Sequence, residues 1–251
     1  MKLKKLTEFL NEILSIDKFR SDSSLNGLQV ETSDDTKRVA FAVDVSQKAI
    51  KKAVKWNADL LVVHHGLFWD GPAPLTGILA RRVKLLLENG LSLYAAHLPL
   101  DAHPEIGNGA QLAKLIGLEQ TVPFGKYKDL LIGTAGSLKR TTTVDSLSRK
   151  IARLLGHRPK IIKNGPENIK RIAIVTGGGA SFAEEAGEKG YQALITGESS
   201  HASYHFALEL GVSIICAGHY ATETLGVKAL KEIVEDECGL ECRFIDVPTG
   251  L

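Results

Sequence analysis

The sequence predicts an α/β protein made of a duplicated unit. Short apolar runs typical of buried strands alternate with segments of helical periodicity along the whole chain. Two early stretches also resemble later ones: Arg38–Val43 resembles Arg171–Thr176, and Gly90–His97 resembles Gly211–Gly218. Strands that alternate with helices predict mostly parallel sheets with right-handed crossovers. We therefore predict one α/β repeat over residues 1–125 and a second over residues 126–251.

Composition places the chain among ordinary globular proteins. Apolar residues make up 44% of its 251 residues, charged residues make up 24%, and the formal net charge is +2. We see no basic stripe of the kind that a duplex DNA binder needs. No run approaches the ~18 apolar residues of a membrane helix. Three cysteines predict a reducing compartment, the cytoplasm, and the pair Cys238 and Cys242 has no second pair to complete a zinc site.

The first repeat opens with an amphipathic helix, because its leucines recur at helical spacing from Leu3 to Leu14. A polar loop follows at residues 21–26. The remaining elements predicted in this half are, in order, a strand at Gly27–Glu31, a strand at Arg38–Asp44, a helix capped by Ser46, a strand ending at His64 and His65, a helix at Ile78–Glu88, a strand at Leu91–Ala96, a loop at His97–Asn108 and a helix at Gly109–Ile116.

The second repeat follows a predicted linker at Val122–Lys128. Its predicted elements are, in order, a strand at Leu130–Leu138, a helix from Thr143 and Val144 to Leu155, a strand at Arg171–Thr176, a tight turn at Gly177–Gly179, a helix at Phe182–Lys189, a strand at Ala193–Thr196, a helix at Ser200–Leu210, a strand at Ser213–Ala217, a helix at His219–Glu237 and a strand at Arg243–Val247.

The first functional motif is the histidine pair at the end of an apolar strand, His64 and His65. Open α/β sheets keep their sites at the carboxyl ends of strands, and neutral histidine is the commonest metal ligand. Successive strand side chains point to opposite faces, so both rings reach one site only if the strand ends there, and Gly66 allows that. Alternatively, they serve two adjacent metals, or one caps a helix while the other is a core histidine.

The second motif is the loop after the next strand. Asp101 lies in a loop stiffened by Pro99 and is either a ligand or a turn former. His97 and His103 flank it, and one of them is a candidate for proton transfer or for orienting a ligand. A solvated loop histidine describes His103 better than His97.

The third motif opens the last long helix. His219 and Glu223 are four residues apart, so they share one helix face, with Cβ atoms about 5–6 Å apart. This arrangement is common among metal ligands and also among plain surface pairs. Two further features stay unassigned: the Gly177–Gly179 turn, a weak candidate for a phosphate cradle, and a polar group at Glu198, His201 and His205.

Together, the three motifs supply three imidazoles and two carboxylates. Mixed nitrogen and oxygen ligands suit Zn, Fe, Mn, Co or Ni. Five ligands do not saturate two metals, so positions stay open for water, as a catalytic site requires.

Several of these segments resemble the Nif-three-like family, in particular its bacterial YbgI-like branch, whose members are commonly labelled "GTP cyclohydrolase 1 type 2 homolog". The resemblance covers nearly the whole chain. The matching segments are Asn26–Val30, His64–Trp69, His97–Asn108, Thr176–Gly179, Ile195–Glu198, Ala217–Glu223 and Phe244–Pro248. Tyr220 departs from the pattern, since relatives often carry a second histidine there.

The resemblance implies two intertwined three-layer α/β repeats, a dinuclear metal centre between them and a toroidal homohexamer. It implies that His64, His65, Asp101, His219 and Glu223 are the metal ligands and that Glu223 bridges the ions. His97 is then the candidate catalytic group for proton transfer.

Two functions from different classes follow from this resemblance. The first is a metal-dependent hydrolase, similar to a GTP cyclohydrolase, acting on a nucleotide-like small molecule. The second is a metal-binding scaffold or regulatory protein without turnover, linked to the handling of damaged nucleotides or DNA.

Overall fold

The computed structural model describes residues 1–251, which divide into two compact units. Unit 1 comprises residues 1–100 and 227–247, and unit 2 comprises residues 101–226 and 248–251. Each unit is built on its own β-sheet. The predicted boundary between the two sequence repeats, at residues 125 and 126, stays a prediction.

Unit 1 contains a five-stranded sheet whose central strands are parallel. The strands are β1 (Gly27–Val30), β2 (Arg38–Asp44), β3 (Leu60–His65), β4 (Ser92–Ala95) and β11 (Glu241–Phe244), and their order is β1-β4-β3-β2-β11. Only β1 runs antiparallel, against β4. Val63 pairs with Ala95 and Asp44 pairs with His65 in the parallel register. The residues that follow β3 and β4 therefore emerge at the same edge of the sheet.

The sheet of unit 1 is buried on both faces. One set of alternating side chains, including Ala42, Leu61 and Val63, packs with two helices, α2 (Gln47–Lys55) and α3 (Gly77–Glu88). The opposite set, including Phe41, Val62 and Tyr94, is equally buried. This explains why β2 and β3 read as continuous apolar runs rather than alternating ones. The hydroxyl group of Ser46 caps α2 by accepting from the Ala49 amide, as predicted.

Three further helices contribute residues to unit 1. The chain starts with α1 (Leu3–Ile13), followed by a short 3-10 helix at Ile16–Phe19. The four-residue helix α4 (Leu98–Asp101) and the long helix α9 (His219–Cys238) each contain residues assigned to both units, because unit 1 ends at residue 100 and resumes at residue 227.

Unit 2 contains a six-stranded mixed sheet. Its strands are β5 (Leu118–Tyr127), β6 (Leu130–Thr143), β7 (Lys160–Ile162), β8 (Asn168–Ile174), β9 (Ala193–Thr196) and β10 (Ser213–Cys216), in the order β5-β6-β8-β9-β10-β7. The neighbours β8, β9 and β10 are parallel, as β2, β3 and β4 are in unit 1. The three strands on the outside pair antiparallel.

Helices cover both faces of the unit 2 sheet. On one face, Ile172, Ile174 and Ile195 pack with α5 (Asn108–Ile116) and α6 (Val144–Leu155). On the other face, strand residues such as Leu194 and Ile214 pack with α7 (Ala183–Glu188) and α8 (His201–Glu209). A 3-10 helix at Gly179–Phe182 precedes α7. The α/β class with mixed sheets is confirmed.

Two element predictions were wrong, and one strand was not predicted. The predicted linker at Val122–Lys128 lies mostly in the outermost strand β5, which pairs with β6. Most of β5 is exposed, so it lacks the apolar alternation that identifies a strand, and Pro123 is tolerated on an edge. The predicted loop after β4 contains α4, where Pro99 occupies the first turn and a helix tolerates proline. The short strand β7 was not predicted.

No helix of the protein combines the length and the apolar character that crossing a membrane requires.

Candidate functional site

His64, predicted to be a metal ligand, lies at the carboxyl end of β3 and is fully buried. Its Nδ1 atom is 2.9 Å from the carbonyl oxygen of Ala96, the residue after β4. A carbonyl oxygen only accepts, so Nδ1 carries the proton and Nε2 carries the lone pair in the neutral ring. The neighbouring strand thus selects the tautomer that binds a metal through Nε2.

His65 is held in a similar way by β2, the strand that pairs with β3 on the side opposite β4. Its Nδ1 atom is 2.9 Å from Oδ1 of Asp44, its register partner at the end of β2. A carboxylate behind an imidazole fixes the tautomer and the orientation of the ring. Asp44 was not among the predicted functional residues, although its place opposite His65 in a parallel pair was a signal that could have identified it.

His97 is anchored by a buried carboxylate. Its Nδ1 atom lies 2.9 Å from Oδ1 of Asp22, whose side chain is completely buried. Asp22 also accepts from the backbone amides of Leu98 and Ser24 and from the side chain of Asn26. Burial raises the pKa of Asp22, but the hydrogen bond and charge of His97, together with Asn26 and Ser24, outweigh it and leave that pKa below its usual value. Asn26 in turn accepts from the His97 amide at 2.7 Å.

The structure brings His64, His65 and His97 together at this edge of unit 1. Ring centroids are 4.6 Å apart for His64 and His65, 5.1 Å for His64 and His97, and 5.7 Å for His65 and His97. One ring nitrogen from each lies within 4.8 Å of the others, which is close enough for a shared metal ion. We name these three side chains the histidine cluster. Trp69 meets His97 edge-on at 5.0 Å.

The other predicted imidazole, His219, begins α9 in unit 2 and lies between two carboxylates. Its Nε2 is 3.2 Å from Oε1 of Glu223, one turn further on, and its Nδ1 is 3.1 Å from Oε1 of Glu198. The hydrogen bond to Glu223, opposed by burial and helped by both carboxylate charges, raises the pKa of His219 to about 9. The Glu223 side chain is 4% exposed. Glu198, whose role the sequence left open, is thus part of this group.

Gly177 gives the Glu223 carboxylate its space. Gly177 follows β8 closely and has a φ of +61°, a left-handed conformation that favours glycine. A Cβ atom there would overlap Oε1 of Glu223 and lie 3.1 Å from Nε2 of His219. The backbone is fixed locally, because the Gly177 amide donates to Thr222 and the Gly177 carbonyl accepts from Thr196. These hydrogen bonds therefore hold the Gly177 backbone close to the Glu223 carboxylate.

Asp101, the other predicted carboxylate ligand, is the last residue of α4 and is nine-tenths buried. Its Oδ1 atom accepts from the side-chain amide of Asn108 at 2.8 Å and from the hydroxyl of Thr176 at 3.2 Å. Asn108 is fully buried and also accepts from the Gly226 amide. The carboxylate is therefore oriented before any ligand arrives. Asn108 was not predicted, since a single asparagine at a helix start reads as a cap.

Three more histidines make contacts within their own segments. The Nδ1 atom of His103 accepts from the amides of Glu105 and Ile106, each at 3.2 Å, so it shapes its own loop. His201 and His205 lie on α8 with their rings edge-to-face at 5.7 Å.

The sequence matches the Duf34/NIF3 (NGG1p interacting factor 3) family over residues 1–250. The chain belongs to the Duf34/NIF3 family. It is 47% identical over 252 residues to a Pyrococcus abyssi protein named "GTP cyclohydrolase 1 type 2 homolog", and the alignment covers 100% of both chains. The family resemblance drawn from the motifs is therefore confirmed.

Solved structures of Duf34/NIF3 relatives have the same fold. Protein ybgI, described as of unknown function, superposes with a TM-score of 0.92 at 40% identity and covers 100% of both chains. A protein from Thermus thermophilus superposes with a TM-score of 0.93 at 37% identity, again over 100% of both chains.

Proposed function

We propose that this Duf34/NIF3 protein is a dinuclear divalent-metal protein that hydrolyses a nucleotide-like small molecule. The proposed ligands are His64, His65, Asp101, His219 and Glu223, with Glu223 bridging the two ions. The two divalent ions would be Zn, Fe, Mn, Co or Ni, and His97 is the proposed catalytic residue.

The observation that carries this proposal is the way the histidine cluster is held. Each of the three rings has its Nδ1 atom 2.9 Å from an oxygen acceptor: Ala96 for His64, Asp44 for His65 and Asp22 for His97. Outer partners of this kind are typical of metal-binding histidines, because they fix both the tautomer and the ring orientation. His64 and His65 are the proposed ligands in this cluster, and His97 is held close to them for proton transfer.

The donor set of unit 2 also fits divalent ions. Asp101 and Glu223 are buried carboxylates, and His219 adds an imidazole beside Glu223. Buried acidic groups are rare unless they are paired or bind a metal. In the metal-free chain, the proton on His219 supplies the positive charge that Glu223 faces. A divalent ion would take over that task once the proton has left.

When bound, the two ions would supply Lewis-acid chemistry by polarising the substrate and lowering the pKa of water. The chain's own contribution to the reaction centres on His97. Asp22 holds the Nδ1 proton of this ring, so Nε2 is the atom that accepts a proton and returns it. Trp69 packs against this ring in a T-shaped arrangement with centroids 5.0 Å apart. The name of the Pyrococcus abyssi relative, a GTP cyclohydrolase homolog, supports a nucleotide-like substrate.

We further propose that the protein acts as a toroidal homohexamer. The number six and the ring come from the family resemblance alone. Self-association is supported by α8 and the residue after it, which expose four large apolar side chains to solvent: Tyr204 (41%), Phe206 (48%), Leu208 (49%) and Leu210 (40%). Tyr204 and Leu208 are one helical turn apart, as are Phe206 and Leu210, so this segment presents two exposed apolar pairs. Exposed apolar patches mark interfaces in soluble proteins.

The proposed activity is tested by screening metal-reconstituted protein against a library of nucleotides. Turnover of a nucleotide that is lost in both His64→Ala and His97→Asn supports the hydrolase. Since His97 is not a proposed ligand, His97→Asn should lose turnover while keeping its metal. Absence of turnover with each of the five metals would instead favour the metal-binding scaffold.

A further inference from the structure

Positive charge is concentrated in one stretch of unit 2. Residues 139–163 contain eight Lys or Arg residues and a single acidic residue, Asp145. The rest of the chain contains 23 basic and 28 acidic residues, so it is net negative. A local excess of one charge in a nearly neutral protein indicates a partner of the opposite charge.

The fold gathers part of this charge around a cleft. The cleft has a volume of about 830 Å³ and lies between α6 and the segment that leads into β7. Arg149 and Arg153 line it from α6, where they are one helical turn apart, and Arg158 lines it from the other side. The hydroxyl-bearing side chains of Ser146 and Ser148 also line it.

The three arginines are not neutralised by the protein. None of them forms an ion pair, and Arg149 donates only to the hydroxyl of Ser146, at 2.9 Å. Asp145 also lines the cleft, where its carboxylate is paired with Lys163 at 2.6 Å, so the lining holds three guanidinium groups and one carboxylate. A concave surface with excess positive charge focuses the electric field on an incoming anion.

A smaller cleft of about 310 Å³ continues the same surface. It shares Ser146 with the first cleft and is lined by three more cations, Lys139, Arg140 and Lys150. The side chain of Lys150 donates to the carbonyl of Ile116. Cations thus line both clefts that α6 contributes to.

The lining residues indicate the chemical class of the ligand. The guanidinium group binds phosphate oxygens with two parallel hydrogen bonds, which makes arginine the preferred residue for phosphate. No aromatic side chain lines either cleft, so a base has nothing to stack on. The larger cleft also has the size of a small-molecule site rather than of a long groove.

We propose that this cleft, which we name the arginine cleft, binds a short polyphosphate, such as the triphosphate part of a nucleotide. The arginine cleft includes none of the side chains placed in the candidate functional site, and the proposal does not depend on the proposed hydrolase activity. Its ligand is recognised through phosphate oxygens and not through a base.

The test is calorimetric titration of the full chain, stripped of metal, with inorganic tripolyphosphate. Metal is removed first because tripolyphosphate itself binds divalent ions. At a physiological salt concentration of about 150 mM, saturable binding is expected. The double variant Arg153→Gln, Arg158→Gln should bind roughly tenfold or more weakly, because each lost charge-assisted pair lowers the affinity.

The matched control is the double variant Lys48→Gln, Lys51→Gln, which removes the same charge from exposed positions on α2. It should bind within about twofold of the unchanged protein, as expected for distant exposed charges. Circular dichroism of each variant, and the single variant Arg158→Gln, guard against a loss of folding.

Three results would overturn the proposal. One is the absence of saturable binding by the unchanged protein. Another is equal weakening in the control variant, which would mean that only overall charge matters. The third is tighter binding of a duplex DNA fragment than of tripolyphosphate through the same two arginines, which would make this face a nucleic-acid surface instead.

Discussion

The Nδ1 atom of His97 lies 2.9 Å from Oδ1 of Asp22, a residue 75 positions earlier whose side chain is completely buried. Asp22 holds the ring and, through the Leu98 amide, the start of α4 as well. The same carboxylate therefore ties the loop at residues 21–26 to the end of β4. The orientation of His97 is decided by this loop rather than by its own strand.

Replacing this carboxylate with an amide, in Asp22→Asn, should lower stability at neutral pH by roughly 1–3 kcal/mol, since hydrogen bonds to a charged acceptor are lost. The folded pKa of Asp22 lies below its ordinary value of about 4. Its contribution is therefore present above the unfolded value and is lost as pH falls through the folded value. The difference between the two proteins should shrink with acidification.

Urea unfolding of metal-free protein at several pH values measures this difference. The control is Asp35→Asn, which removes a carboxylate from an exposed pair with Lys2 and should cost little. A gap between Asp22→Asn and the unchanged protein that stays constant down to acidic pH would show that the carboxylate charge is not what holds His97.

The raised pKa of His219 predicts that metal binding releases protons at neutral pH. Glu223 first, and Glu198 after it, raise the pKa of His219 to about 9 in the metal-free chain, so the ring is protonated near pH 7. A metal ligand must be neutral, so close to one proton per chain should leave from His219. The release should diminish as pH rises through about 9.

Calorimetry of zinc binding in two buffers of different ionisation enthalpy counts these protons. Glu198→Gln removes a carboxylate that also raises this pKa but is not a proposed ligand, so it should reduce the release while metal still binds. Metal binding at pH 7 without any proton release would contradict the placement of His219 among the ligands.

The close approach of Gly177 to Glu223 allows the effect of backbone strain to be distinguished from a loss of metal binding, by comparing two glycine substitutions. Gly177→Ala adds a Cβ that overlaps the Glu223 carboxylate, whereas Gly239→Ala meets nothing within 4 Å. Both glycines have a left-handed φ, +61° and +63°, so both variants should lose about 1–3 kcal/mol to backbone strain. Only Gly177→Ala should also lose metal. Equal metal content in the two variants would mean that the close approach has no role in binding.

The exposed apolar side chains of α8 predict the effect of a charge on assembly. Phe206→Asp should shift the protein to a lower mass in light scattering at micromolar concentration, because a buried charge without a partner opposes association. Leu115→Asp changes a residue of similar exposure on α5 and serves as the control. If the unchanged protein is a stable monomer, the proposed hexamer is wrong.

The sequence was most informative where burial alone determines structure. Strands β3 and β9 are buried on both faces, and their apolar runs predicted them closely. The edge strand β5 was missed because solvent covers most of it and leaves no pattern. Asp22 and Asn108 went unnoticed for a different reason. Each acts through a partner distant in sequence, and nothing in its immediate neighbours marks that contact.

Metal content measures the central proposal most directly. Elemental analysis of purified protein reconstituted with each candidate metal should give close to two divalent ions per chain, all removable by chelation. Glu223→Ala should lose more metal than His64→Ala, because a bridging ligand serves both ions, and His103→Ala should keep the full content. One ion or none in the reconstituted protein, or equal losses from all three variants, would contradict the dinuclear centre.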